Sequence, residues 1–214
     1  MNKDIYAKRN TLYGPTVVAA LNKRFFDAYY VATKEEALAK ALELIDPADV
    51  VGWGGSMTLD EVGLKDALKA RGQKVMDRDA EPDPAKKKQL MRDIVAQADT
   101  FITSSNAITE DGQLLNVDNL GNRVAPLTFG PDNVVVIAGI NKVVRDQEAA
   151  EDRIKTVAAP INMARIGFET PCFVTGKCSE CLSPKSICAS WVRTRKCTPP
   201  GRIKVILVGE DLGF

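Results

Sequence analysis

The stretch that decides the fold is DVVGWGGSMTLDEVGL, residues 49–64. Its first part, from Asp49 to Trp53, is a short apolar run of the kind that forms a parallel strand covered on both faces. Gly54 and Gly55 end this strand, because glycine favours turns and lets a ligand come close to the backbone. The stretch therefore predicts a buried strand that ends in a turn suited to ligand binding.

A helix start follows this turn. Thr58 to Glu61 has the pattern Thr-x-x-Glu of a capping box, so we expect a helix from Leu59. The first amides of that helix and its dipole would point back at the turn and favour a bound anion there. The plainer alternative is a strand-to-helix turn with a good cap, since the pattern is neither the dinucleotide-binding motif nor the P-loop. The predicted anion-binding residues are Gly54, Gly55, Ser56 and Thr58.

The rest of the chain alternates strand and helix patterns with short loops, which predicts one α/β domain around a mostly parallel sheet flanked by helices. We expect antiparallel additions to this sheet from residues 113–127, as strands at 113–117 and 123–127. Two parts depart from the alternation: an N-terminal helical segment at 1–24, interrupted at Gly14-Pro15, and a cysteine-rich insertion at 170–198. The predicted parallel strands lie at 27–31, 49–53, 74–77, 100–103, 134–138 and 203–208.

The composition excludes several classes of protein. The chain has 214 residues, of which 45% are hydrophobic, so it can bury a sizeable core. Its formal net charge is +1 with acids and bases interspersed, which favours neither nucleic acid nor a membrane surface as a partner. No apolar run approaches membrane-spanning length, and the N-terminal residues lack the apolar core of a signal peptide. We therefore expect a cytoplasmic protein.

The chain contains no histidine. This absence excludes Ser-His-Asp and Cys-His catalysis and every metal site that needs a histidine ligand. Acid–base chemistry must therefore use other side chains, and the candidates for a catalytic acid or base are Glu61, Glu110 and Asp111.

Polar residues also follow the ends of two other predicted strands, Ser104 and Asn106 after one, Asn141 and Lys142 after another. Ligands bind at the carboxyl ends of parallel strands in open α/β sheets, so we expect these residues to share a pocket with the glycine turn. The expected ligand is a phosphate, sulfate or carboxylate. Alternatively, the Asn and Asp side chains of this region stabilise turns by local hydrogen bonds. The retained ligand candidates are Ser104, Asn106, Arg123, Asn141 and Lys142.

All five cysteines lie between Cys172 and Cys197, and such clustering in a cytosolic protein indicates metal or redox chemistry before structural disulfides. Two residues separate Cys178 from Cys181, so the turn between them brings both sulfurs to one side. A [4Fe–4S] cluster and Zn²⁺ both fit four such ligands, and the spacing does not distinguish them. A reversible disulfide or free thiols are the other interpretation. The predicted ligands are Cys172, Cys178, Cys181 and Cys188, with Cys197 as the spare cysteine.

The sequence resembles the LUD-domain family, the lactate-utilisation type. The resemblance runs from about Tyr6 to the end of the chain and rests on five segments. These are GGSMTLDEVGL at 54–64, NAITEDGQLLNVDNLGNRVAPLTFGPDNVVVIAGINKVV at 106–144, AAPINMAR at 158–165, PCFVTGKCSECLSP at 171–184 and ILVGEDLGF at 206–214.

The resemblance implies a relative of the ribose-phosphate isomerase, glucosamine-phosphate deaminase and CoA-transferase-like fold. In those relatives a Gly/Ser-rich turn after a strand binds phosphate or a CoA-like group, which matches Gly54, Gly55, Ser56 and Thr58 here. The resemblance also implies a role in the oxidation of lactate to pyruvate, beside iron–sulfur partner proteins. The cysteines near the end of the chain depart from the simplest lactate-utilisation members.

Three hypotheses about function follow. The first is an accessory protein of lactate-type organic-acid oxidation that binds a small anionic metabolite and an iron–sulfur cluster or zinc. The second is an enzyme that acts on a phosphorylated or CoA-linked metabolite with Glu61, Glu110 or Asp111 as acid or base. The third is a metal-sensing or redox-sensing module.

Overall fold

A computed structural model describes residues 3–214 of the chain, which form two β-sheets and the helices around them. The predicted helical segment 1–24 begins with residues 1 and 2, which lie outside the described residues. The strands are β1 Asp27–Val31, β2 Val50–Trp53, β3 Lys74–Met76, β4 Thr100–Thr103, β5 Ala107–Thr109, β6 Leu114–Asp118, β7 Asn133–Gly139, β8 Val143–Val144, β9 Ser190–Thr194 and β10 Ile203–Val208. The α-helices are α1 Lys3–Lys23, α2 Lys34–Leu44, α3 Met57–Val62, α4 Leu64–Ala70, α5 Pro84–Gln97, α6 Val124–Thr128, α7 Gln147–Arg153, α8 Ala159–Ile166 and α9 Pro171–Thr175.

The main sheet has six strands in the order β1-β10-β7-β4-β2-β3, and all its neighbours pair in parallel. Its strands match the six predicted ones, and β2 lies inside the sheet between β4 and β3. The mostly parallel α/β fold is therefore confirmed, with the strand Val50–Trp53 in an internal position as expected.

Both faces of this sheet are buried, which explains why its central strands are apolar throughout. In β7, Val134 and Val136 pack into the cluster that also contains Val17 and Leu21 of α1. The alternate residues Val135 and Ile137 pack into a second cluster with residues of α2, α3 and α4. Successive side chains of a strand point to opposite faces, so one continuous apolar run supplies both halves of the core.

A second sheet of four strands, ordered β8-β5-β6-β9, replaces the predicted antiparallel additions to the main sheet. Strand β6 at Leu114–Asp118 agrees with the prediction for 113–117. The predicted strand at 123–127 is wrong, because this segment forms helix α6. Asp118 Oδ2 accepts hydrogen bonds from the backbone N–H groups of Arg123 and Val124, at 2.8 and 3.3 Å, and so fixes the start of that helix.

Helix α1 runs without a break through Gly14 and Pro15, so the predicted interruption is wrong. Position 14 requires a glycine for a different reason, because a Cβ there would lie 2.2 Å from the ring of Tyr30. Burial of Val17 and Leu21 against the sheet, both with no exposed surface, stabilises the helix beyond the proline.

The predicted capping box at Thr58–Glu61 is also wrong. Helix α3 begins at Met57, and its N-cap is Ser56, whose hydroxyl accepts a hydrogen bond from the Leu59 N–H at 3.4 Å. Thr58 is buried inside the helix. The helix predicted from Leu59 is divided at Gly63, which has a left-handed φ of 73° and separates α3 from α4.

The cysteine-rich segment 170–198 carries one element of the second sheet. Its strand β9 pairs antiparallel with β6, with Val192 opposite Asn116. The segment is therefore anchored to the fold at both ends, by α9 at its start and by β9 near its end. No helix within residues 3–214 is long and apolar enough to cross a membrane.

Candidate functional site

Three loops meet at one edge of the main sheet because β2, β4 and β7 are adjacent and parallel. The loops follow the carboxyl ends of these strands, where open α/β sheets bind ligands. A cavity of about 200 Å³ lies between them. The predicted ligand residues that line this cavity are Gly55, Ser56, Thr58, Ser104, Asn106, Arg123 and Lys142.

Lys142 is the most unusual side chain of this cavity, since only 3% of it is exposed. Its Nζ donates hydrogen bonds to Thr58 Oγ1 at 2.9 Å and to Ser104 Oγ at 3.0 Å. Burial lowers the pKa of Lys142 to about 7, and the nearby charges of Arg153 and Arg123 act in the same direction. The amine can therefore carry or release a proton near neutral pH, and its hydroxyl partners come from helix α3 and from the loop after β4.

Arg123 has a structural role in addition to its place in the cavity wall. Its Nη1 donates to Asn116 Oδ1 at 2.6 Å and to the Ser104 carbonyl at 3.2 Å. Its Nη2 donates to Asn106 Oδ1 at 2.6 Å and to the Val117 carbonyl at 2.7 Å. Burial lowers the pKa of Arg123. Because these donors already have protein acceptors, the guanidinium mainly joins the loop after β4 to strand β6 and contributes charge to the cavity.

Arg153 supports the same loops from helix α7. Its Nε donates to the Asn141 carbonyl at 3.0 Å and its Nη1 donates to the Asn106 carbonyl at 2.6 Å. Sequence patterns give no sign of this role, because the helix that carries Arg153 looks like an ordinary surface helix. The side chain thereby fixes the distance between the loops after β4 and β7.

The glycine turn, which is predicted to bind an anion, makes several contacts within the chain. The hydroxyl of Ser56 already accepts a hydrogen bond from the first turn of α3, so the turn is capped from within the chain. Gly55 instead makes room for an arginine, since a Cβ at this position would lie 2.9 Å from Arg78 Nη2. Arg78 also lines the cavity, and its buried Nε has no hydrogen-bond partner, although Asp79 Oδ1 lies 3.3 Å away. Gly54 approaches Arg123 in the same manner, its Cβ position being 3.0 Å from Arg123 Cγ.

The last residues of the chain form one wall of the cavity, which includes Phe214. Asn141 holds this segment: its Nδ2 donates to the Gly213 carbonyl at 3.2 Å, and its Oδ1 accepts from the Leu212 N–H at 3.1 Å. Glu61 also holds it, through Oε2 and the Gly213 N–H at 2.8 Å. Asn141 and Glu61 thus position the wall from outside the cavity lining.

The other two acid/base candidates lie elsewhere. Glu110 accepts a hydrogen bond from Tyr13 Oη at 2.6 Å, and Asp111 forms an ion pair with Arg24 at 2.6 Å. These contacts join the turn after β5 to Tyr13 of helix α1 and to Arg24, which directly follows that helix. Neither carboxylate is among the residues that line the cavity, so their positions do not support the predicted acid–base role there.

The cavity is cationic. Among the described residues, the lining side chains include four cations and one carboxylate, Asp118, whose oxygens already accept backbone N–H groups. Arg78 and Arg165 were not predicted as site residues, because both lie in sequence contexts typical of solvated surface. Arg165 is exposed, and its Nε and Nη2 donate to Asn162 Oδ1 at 3.1 and 2.8 Å. The four cations are Arg78, Arg123, Lys142 and Arg165.

A second cavity, of about 510 Å³, brings together the four predicted metal ligands Cys172, Cys178, Cys181 and Cys188. All four are partly exposed free thiols, whereas Cys197 is buried in the main core. Burial raises the pKa of the Cys188 thiol. Within residues 3–214, no three Cys, Asp or Glu side chains are already grouped closely enough to hold one metal ion.

Comparison with known proteins agrees with this architecture. The family model described as "LUD domain" matches residues 15–208. The crystal structure of a DUF162 family protein from Deinococcus radiodurans superposes with a TM-score of 0.53 and 13% sequence identity, over 93% of this chain and 98% of that one. That similarity concerns the fold. No curated protein sequence matches this one. Because the family model covers most of its length, the chain belongs to the LUD domain family.

Proposed function

We propose that the protein binds a small organic anion in the cavity at the carboxyl ends of β2, β4 and β7, as an accessory protein of lactate-type organic-acid oxidation. The observation that carries the proposal is the placement of Lys142 between Thr58 and Ser104, in a cavity lined by four cations and one carboxylate. A carboxylate or phosphate would relieve the mutual repulsion of these cations and would stabilise the charged form of Lys142.

The geometry gives the cations of the cavity different roles in binding the anion. Arg123 is held by protein acceptors and contributes a fixed positive charge. Lys142 lies deep in the cavity, whereas Arg165 is exposed. A small carboxylate fits this arrangement with its charged group at the lysine and the rest of the molecule toward the arginine. A volume of about 200 Å³ suits a metabolite of a few carbon atoms better than a CoA-linked one.

Membership of the LUD domain family supports the assignment to lactate-type oxidation. In this role the protein would hold lactate, pyruvate or a related hydroxy or oxo acid, and it would work beside iron–sulfur partner proteins. Since the pKa of Lys142 is about 7, a bound carboxylate would also favour uptake of a proton by its amine.

Calorimetric titration with pyruvate, lactate and inorganic phosphate tests the proposal. We expect saturable binding of at least one of them, and a loss of affinity of about a hundredfold in Lys142→Met, which removes the charge but keeps the length of the side chain. Lys88→Met on the exposed face of α5 is the matched control and should bind like the wild type. The proposal fails if none of the three anions binds, or if Lys142→Met binds as tightly as the control.

A further inference from the structure

We propose that Cys172, Cys178, Cys181 and Cys188 together bind one [4Fe–4S] cluster, and that this cluster holds a wall of the anion cavity in place. The second part rests on the proposed anion binding, whereas the first does not. Both parts follow from the position of the cysteine loop, residues 176–189, between the two cavities.

The four thiols surround a space instead of touching one another. They come from α9, from the loop after it and from the segment before β9, and they line one cavity of about 510 Å³. A single zinc ion needs four sulfurs that converge on one point at about 2.3 Å. A [4Fe–4S] cluster occupies more room and takes one thiolate on each iron. Four thiols spread around one cavity, and not grouped closely enough for a single metal ion, suit a cluster better than a single ion.

The cysteine loop, residues 176–189, has little else to hold it. Apart from the ion pairs of Glu180 with Lys155 and of Lys185 with Glu169, its hydrogen bonds run to near neighbours, such as Lys185 N–H to Ser183 Oγ at 3.3 Å and Cys188 N–H to Ser186 Oγ at 3.0 Å. Leu182 is 99% exposed, so it anchors nothing. Irregular loops of this length are uncommon unless a further contact holds them in one conformation. A bound cluster would hold this loop through four bonds to the protein.

The turn between Cys178 and Cys181 has two features that favour a bound ligand. The backbone N–H of Glu180 donates to Cys178 Sγ at 3.4 Å, which stabilises negative charge on this sulfur. Glu180 has a left-handed φ of 52°, a conformation that is costly for a residue with a side chain. Binding of both sulfurs to one cluster would offset this cost.

The charged side chains in the walls of the cavity balance one another. Lys155 and Arg193 line it together with Glu151 and Glu180, and Lys155 forms an ion pair with Glu180. Arg193 extends from β9, next to Trp191 on the same strand. The buried side chain of Met163 and the partly exposed ring of Trp191 also line the cavity, and apolar neighbours of this kind tune clusters.

The cysteine loop and helix α8 separate the two cavities. Ile187 lines the anion cavity, while its neighbours Ser186 and Cys188 line the cysteine cavity. In the same way, α8 directs Arg165 to the anion cavity and Met163 to the cysteine cavity. Ordering of the loop by a cluster therefore positions Ile187 at the anion site, and loss of the cluster releases it.

Purification without oxygen, followed by reconstitution with iron and sulfide, tests the cluster. We expect about four irons and four sulfides per chain, with visible absorption and a paramagnetic resonance signal after reduction. Cys178→Ser and Cys181→Ser should each lose most of the iron, while Cys197→Ala, which changes the buried spare cysteine, should keep it. Circular dichroism of each variant establishes that the main domain is folded.

Three results would overturn the cluster: one zinc per chain with no iron after the same treatment, a disulfide between two of the four cysteines in the oxygen-free protein, or unchanged iron content in the folded Cys178→Ser variant. The second part has its own test, the affinity for pyruvate or phosphate with and without the cluster. We expect the affinity to fall about tenfold in Cys178→Ser. Equal anion affinities with and without the cluster would refute the coupling between the two cavities. They would not affect the proposal that the cysteines bind a cluster. Absence of any anion binding by iron-loaded protein would refute the proposed function instead.

Discussion

At Gly55 the missing side chain leaves room for the guanidinium of Arg78, the Cβ position being 2.9 Å from Nη2. The contact atom is the far end of a flexible side chain, so the chain can accept an alanine by moving Arg78 out of the cavity. Gly55→Ala should therefore change the free energy of unfolding by less than about 0.5 kcal/mol but weaken anion binding about tenfold. Calorimetric titration with the tightest-binding anion and urea unfolding measure the two quantities.

A double-mutant cycle shows whether the effect passes through Arg78. If it does, Arg78→Met alone should weaken binding by a similar factor, and adding Gly55→Ala should change little more. Independent, additive losses in the double variant would mean that Gly55 acts on the ligand directly. That result would indicate that the glycine turn itself binds the anion.

Several residues have roles that escape prediction from sequence because they depend on tertiary contacts. Asp118 starts helix α6 by accepting from Arg123 and Val124, a contact that turns a strand-like segment into a helix. Gly14 looks like a turn residue but is small because Tyr30 packs on it. Local patterns describe the propensity of a segment, whereas these contacts are tertiary and override it.

At the scale of elements, the segment 209–214 closes one side of the anion cavity. Gly213 has a left-handed φ of 56°, and a Cβ there would lie 2.6 Å from Thr58 Oγ1 and 3.3 Å from Lys142 Nζ. Gly213→Ala should therefore displace the segment from Thr58 and Lys142. We expect a melting temperature several degrees lower and an anion affinity reduced about tenfold.

Gly63→Ala is the matched control for this change. Gly63 also has a left-handed φ, 73°, but no atom lies within 4 Å of its Cβ position. The control should share the backbone cost of about 1–2 kcal/mol and keep its anion affinity. If the two variants lose anion affinity equally, the segment 209–214 does not shape the cavity.

For the whole molecule, the sequence predicts the main sheet well and the second sheet poorly. Strands such as β7 and β10 are apolar at successive positions because both of their faces are covered. Such strands can be predicted from their own residues, without knowing which strands they pair with. Strands β5 and β8 have three and two residues, too few to show a period. The meeting of Thr58, Ser104 and Lys142 follows from parallel order, while Arg153 and the cysteine cavity required the complete fold.

Burial of Lys142 also affects the stability of the whole molecule. Its pKa is about 7 in the folded protein and 10.5 in its ordinary, unfolded setting. Between these values the unfolded chain holds a proton that the folded chain has released, so the stability contribution of this group rises with pH. Below about pH 7 both states are protonated, and the folded state bears the full cost of a buried charge.

We therefore expect the free energy of unfolding of the wild type, measured relative to Lys142→Met, to be flat below about pH 7 and to rise by about 2–3 kcal/mol between about pH 7 and about pH 9. Urea unfolding of both proteins across this range measures the difference, in which the other titrating groups cancel because they are the same in both. Lys88→Met, with its exposed lysine removed, should follow the wild type at every pH. A difference that does not change with pH would mean that Lys142 stays protonated in the folded protein, and its role in the cavity would then be that of a fixed positive charge.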